Sequence, residues 1–168
     1  HFLDMREIFG PNESMRGQCA LHDFGYCSAR PSERLHILVA GISCRPNSTA
    51  RTGRFKLGTT SHPDADLANL TIDGIVQLEP YVVLVENVFG FAMPESKFDG
   101  QSPLQRFLIR IREAHPKYHW VTIVMHGNTF GIMRRRRLYI VGIHIDAGGM
   151  AASENVARFV QAQMHSNI

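Results

Sequence analysis

Short apolar runs separated by amphipathic stretches constrain this chain more than any other feature. LHILVAG (Leu35 to Gly41), YVVLVENV (Tyr81 to Val88), WVTIVM (Trp120 to Met125) and LYIVGIHI (Leu138 to Ile145) are short for helices and rich in β-branched residues. They read as buried strands. Between the first two, Asp64 to Glu79 predicts a helix. Leu67, Leu70, Ile75 and Leu78 fall on one face, Asp64 or Asp66 can cap it, and Pro80 ends it. Between the second and third, Ser102-Pro103 opens a helix whose inner face is Leu104, Phe107, Leu108 and Ile111, closed by Pro116. Ser153 to His165 predicts a last helix with Val156, Phe159 and Val160 inward, while HFLDMREIF reads as a helix end stopped by Gly10-Pro11. This rhythm predicts an α/β layer with a mostly parallel sheet, and such sheets carry their chemistry at the carboxyl ends of strands. Cys44 and Glu86 both belong to such ends.

The 168 residues are 44% hydrophobic and 20% charged, which suits one domain over 1–168 with its own core and argues against disorder. No apolar run approaches the roughly eighteen residues that a membrane span needs. Asp4 and Glu7 interrupt the opening residues, so no signal peptide is expected there. The chain opens on His1 rather than Met, and the expectation is a processed chain or an excised fragment. A net charge of +3 says little alone; its placement in Arg134 to Arg137, beside an apolar strand, says more. Three cysteines without a C-x-x-C pair, and nine scattered histidines without H-E-x-x-H, predict neither a disulfide scaffold nor a metal centre. Residues 45–64 hold Pro46, Gly53, Gly58 and Pro63 with little periodicity, and are expected to form an active-site loop.

Cys44, in GISCRPNS, admits three roles: nucleophile, metal ligand or small buried side chain. A phosphatase loop needs Cys-x5-Arg, and here Arg51 lies one residue too far. For a Cys-His hydrolase, nothing singles out His62 or His126 as the base. Neither a Gly-x-Gly-x-x-Gly nor a Gly-x-x-x-x-Gly-Lys-Ser/Thr pattern occurs, so neither dinucleotide nor P-loop binding is supported.

Three segments, in order, resemble the catalytic core of the DNA (cytosine-5)-methyltransferases. HILVAGISCRPNS is similar to the family's strand and Pro-Cys-Gln nucleophile loop, VLVENVFGF to its Glu-Asn-Val strand end, and NTFGIMRRRRLYIVGI to its Gly-x-Pro-Gln-x-Arg-x-Arg segment and following strand. The resemblance implies a partial Rossmann-like methyltransferase core using S-adenosylmethionine on DNA. Cys44 would then attack carbon 6 of a flipped-out cytosine, a step suited to a thiolate. Glu86 would hold the ring's N3 and exocyclic amine, and Arg135 and Arg137 match the two family arginines, the second near the base. Asn87 would help fix that loop, with Arg45 and Ser48 as further substrate contacts. Arg134 and Arg136 would flank, facing phosphate or solvent. Asp23 is the candidate for the cofactor adenine and Leu67 for packing on it.

The match also departs from the family. Ser43 stands where the family has Pro, loosening the turn, and Arg45 where it has Gln. The arginine motif is one residue short and lacks its Pro-Gln. The Phe-x-Gly-x-Gly cofactor loop, a target-recognition region and the closing Asn-containing segment are missing. The expectation is therefore a chain inactive alone, completed by a missing segment or a second polypeptide. The rival reading is an inactive nucleic-acid or protein-binding module, whose basic run gives salt-dependent phosphate affinity. RNA methylation is a third reading. The resemblance implies a nuclear location in a eukaryote and a cytoplasmic one in a prokaryote.

Overall fold

Burial alternates strictly along Val82–Val88: Val83, Val85 and Asn87 are buried, while Val82, Leu84, Glu86 and Val88 are only partly covered. This period of two makes the segment a strand with two unequal faces. The computed structural model describes residues 33–50, 62–95, 100–126 and 136–165. They form β1 (Ile37–Gly41), α1 (Leu67–Leu78), β2 (Val82–Val88), α2 (Pro103–Ala114), β3 (Tyr118–His126), β4 (Arg136–His144) and α3 (Gly149–His165).

The strands lie in the order β1-β2-β4-β3. β1 pairs parallel with β2, and β4 pairs antiparallel with both β2 and β3. The expected α/β fold is present, but the sheet is only partly parallel. β1, β2 and β3 run the same way; β4 alone is reversed, and it sits between β2 and β3. The connections explain this: α1 and α2 are the crossovers that parallel strands require, whereas residues 127–135 between β3 and β4 contain no room for one.

Ile72 and Ile75 of α1, with Phe107 and Ile111 of α2, bury the sheet face carrying Val83, Val85, Leu138 and Ile140. Leu67 packs partly buried on the same cluster. On that face Trp120 lies directly opposite Gly142, and a β-carbon at Gly142 would fall 2.4 Å from the indole ring. The absent side chain is what admits the indole. α2 begins with both bonds of a capping box: the Gln105 amide donates to Ser102 Oγ and the Ser102 amide to Gln105 Oε1, with Pro103 next. At α1 the expected acidic cap does not form. Asp66 occupies the cap position but its side chain does not cap the helix, and the carboxylate of Asp64 is engaged by Ser43.

α3 packs on β3 and β4 and starts four residues ahead of the expected Ser153. Ser153 is buried, and Val156 and Val160 are partly covered, but Phe159 is 66% exposed rather than inward. The buried stripe passes through Ser153, Val156 and Val160, leaving Phe159 beyond its margin. No helix among the described residues is long and apolar enough to cross a membrane.

Candidate active site

The β1–β2 register sets Gly41 beside Glu86. Cys44 follows three residues beyond Gly41, in a turn closed by the Asn47 amide donating to the Cys44 carbonyl at 3.0 Å. Pro46 and Asn47 are buried beneath this turn, while Cys44 is exposed and its thiol is free. Two parallel strands thus deliver the cysteine turn and the glutamate to the same end of the sheet.

Ser43 does not leave this turn loose. Its hydroxyl donates to Asp64 Oδ2 at 2.8 Å, tying the approach to Cys44 to the residues just ahead of α1. The Asp64 amide in turn donates to His62 Nδ1 at 3.0 Å. The bond closes the two ends of segment 45–64, of which residues 51–61 lie outside the described residues. Nothing in the local sequence pairs Ser43 with Asp64; the only signal was that a hydroxyl replaced the family's proline. A cavity of about 230 Å³ lies under the turn, lined among others by Ile42, Pro46, Asn47, Asp64, Phe91 and Arg106.

Glu86 points from the less buried face of β2, away from the α1/α2 core. Arg137, opposite Val88 in the β2–β4 ladder, reaches diagonally to it and its Nε donates to Glu86 Oε1. The side chains are 20% and 37% exposed, so the pair is partly covered and still reaches solvent. Asn87 projects to the opposite face and is fully buried. Its Oδ1 accepts from the Val88 amide at 2.8 Å, while Nδ2 has no hydrogen-bond partner. It therefore fixes the strand end from behind rather than from the side where Glu86 emerges.

Arg45 is exposed, and Ser48 Oγ accepts from the Ala50 amide at 3.3 Å, stabilising the turn locally. Arg136, expected to flank the site, lies over the Phe89 ring at 5.4 Å, a stacking contact that sequence reasoning did not find. Asp23 and Arg135 lie outside the described residues. The structure thus gathers the Cys44 turn, Glu86 and Arg137 at one sheet end, sets Asn87 behind them, and leaves Leu67 against the core.

The family model for C-5 cytosine-specific DNA methylase matches residues 24–167. No curated protein matches the chain. Among solved structures, a prophage-encoded E. coli protein described as a DNA modification methyltransferase is similar at a TM-score of 0.45 and 16% identity, over 68% of this chain and 28% of its own. The S. pombe Dnmt2 methyltransferase is similar at 0.44 and 17% identity, over 65% of this chain and 29% of its own. The Entamoeba histolytica methyltransferase EhMeth is similar at 0.41 and 17% identity, over 64% of this chain and 32% of its own. The chain thus spans less than a third of each of these proteins.

Proposed function

The chain belongs to the C-5 cytosine-specific DNA methylase family, matched over most of its length, and on that premise we propose that it is the central part of a catalytic domain that methylates carbon 5 of cytosine in DNA. The observation that supports this best is the Arg137–Glu86 pair standing beside the strand end that leads into the Cys44 turn. S-adenosylmethionine, when bound, supplies the methyl group as an electrophilic sulfonium. Of the residues assigned to it, Asp23 is outside the described residues and Leu67 is half-buried against the core. The described residues alone do not make a cofactor site, and the chemistry derived belongs to the chain's own groups.

Cys44 as thiolate adds to carbon 6 of the base: a C–S bond forms and the electron pair of the C5–C6 double bond moves to carbon 5. An exposed thiol in a fixed turn suits that attack. Glu86 faces the ring's N3 and exocyclic amine, and Arg137 fixes the carboxylate through Oε1. The guanidinium fork holds direction as well as charge, which a lysine could not. Once carbon 5 carries the methyl group, its proton leaves to a base and the C–S bond breaks. The double bond and the free thiolate are then restored. Ser43 and Asp64 act only by holding the turn in place, and small misplacements of a nucleophile cost much of a rate.

The test is covalent trapping on DNA containing 5-fluorocytosine in the presence of S-adenosylmethionine. It uses this chain and the longest form of the protein that carries it, each beside a Cys44→Ser version. Fluorine at carbon 5 blocks the elimination, so an adduct that requires Cys44 identifies nucleophile and reaction together. An adduct with the longer protein alone makes this chain an incomplete part of an enzyme. DNA binding without any adduct replaces this reading with that of a binding module.

A further inference from the structure

Two of the scattered histidines meet at the far end of the sheet. His115 caps the C-terminus of α2 and is 9% exposed, and His144 ends β4 and is 1% exposed. Glu79 ends α1 with φ at +43°, and points to both. Glu79 Oε1 lies 3.1 Å from His115 Nε2 and 3.5 Å from His144 Nε2. One donor atom from each residue lies within 4.8 Å of the other two. Tetrahedral zinc with bonds near 2.0–2.1 Å has ligand-to-ligand edges of about 3.3 Å. Those two edges straddle that spacing.

The ring nitrogens carry the second observation. His144 Nε2 is buried, faces the carboxylate and has no hydrogen-bond partner. A buried polar atom left so is costly unless something engages it. Behind it, His144 Nδ1 accepts from the Asp146 amide at 3.1 Å and lies 3.3 Å from Asp146 Oδ2. For Nε2 to hold an ion the ring proton must pass to Nδ1, which gives up the amide bond and donates instead to that carboxylate, the arrangement that commonly orients metal-bound imidazoles. Tyr118 packs edge-on against both rings, at 5.0 and 5.1 Å between centroids, and fixes their planes. His115 Nδ1 is also buried and unpartnered.

Two cations oppose an ion here. Lys117 Nζ lies 3.2 Å from the same Glu79 Oε1, and Arg34 Nη1 lies 2.8 Å from Asp146 Oδ2. The lysine side chain is 55% exposed and can leave into water. We propose that Glu79, His115 and His144 bind a divalent transition ion of zinc's class, with Lys117 as its resident competitor. The ion joins the ends of α1, α2 and β4, where His144 meets Tyr81, about 17 Å from Glu86 at the usual strand rise. Its role is to fasten the fold rather than to react.

Zn²⁺ is titrated calorimetrically into the chain with Cys19, Cys27 and Cys44 changed to Ser, and Co²⁺ is followed by visible absorption. One equivalent should bind, with tetrahedral d–d bands and no thiolate charge-transfer band, and Zn²⁺ should raise the Tm. Glu79→Gln and His115→Gln should each weaken binding by about tenfold or more, Asp146→Asn by about 10–100-fold, and Lys117→Met should tighten it. Should His115→Gln fail to fold, the half-exposed Glu79 and the exposed Lys117 variants decide the matter. No saturable binding, or an affinity unmoved by both Glu79→Gln and Lys117→Met, overturns the site.

Discussion

Arg137 does not pair with the residue opposite it in the sheet. Its cross-strand neighbour is Val88, and its guanidinium reaches past that side chain to Glu86, one pleat back along β2. Glu86 and Arg137 share a face only because the β2–β4 register puts residues of the same parity together. The site's carboxylate is therefore held by a strand running against it.

Arg137→Ala should lower the rate of Cys44 adduct formation in the trapping-competent protein by about 10²-fold or more, the usual cost of losing a preorganised donor. Arg137→Lys keeps the charge and loses the fork, and should fall between the alanine variant and the native protein. Single-turnover trapping rates distinguish the three. Equal rates would remove Arg137 from the reaction.

The Ser43–Asp64 bond is a half-buried hydroxyl–carboxylate contact that should be worth about 1–3 kcal/mol. Ser43→Ala and Asp64→Ala should each lower the urea midpoint, and the double variant should cost less than their sum. Additive losses would mean that the two side chains do not act on each other. Ser43→Pro restores the residue of the resembled family and discards this bond, so it should not stabilise the turn on its own.

Gly142→Ala places a methyl group against the Trp120 ring, 2.4 Å from its nearest atom. The indole must move, at about 1–3 kcal/mol. Combining it with Trp120→Val should recover part of the loss. An unchanged Tm in Gly142→Ala would show that the indole yields freely.

Burial pushes the Tyr118 phenol up to about 12, against the downward pull of Arg34. The neutral phenol is favoured in the folded chain, so its contribution is fully present below the ordinary value of 10 and is lost as pH rises from 10 towards 12. Urea midpoints taken across that window should fall. Tyr118→Phe forfeits the bond to the Pro80 carbonyl but should flatten the slope. A slope that survives in Tyr118→Phe would assign it to other groups.

Elements were more legible than their arrangement. Among the described residues, short apolar runs marked the four strands, helical periodicity marked the three α-helices, and Ser102-Pro103-x-Gln105 marked the start of α2, because these signals are local. Strand direction is not local. β4's reversal was implied only by the short stretch separating it from β3, which offers no crossover. Cys44 and Glu86 stood out at strand ends in the pattern of apolar runs, Arg137 only through the family resemblance, and register explains why they converge. Asn87 stands beside Glu86 in sequence and on the other face in space, a consequence of the strand's period of two. Ser43 with Asp64, and Glu79 with His115 and His144, meet only through tertiary packing, so no motif announced them.

The shortened arginine motif gains a different meaning from the ladder. Leu138 and Ile140 must face the core, and that requirement counts out β4 residue by residue. The missing residue falls ahead of Arg136, outside the count. Loss of Tyr139 instead, with Ile140 still inward, would have turned Arg137 inward and exposed Leu138. Evolution can thus edit the text before the strand while the strand keeps its own ruler.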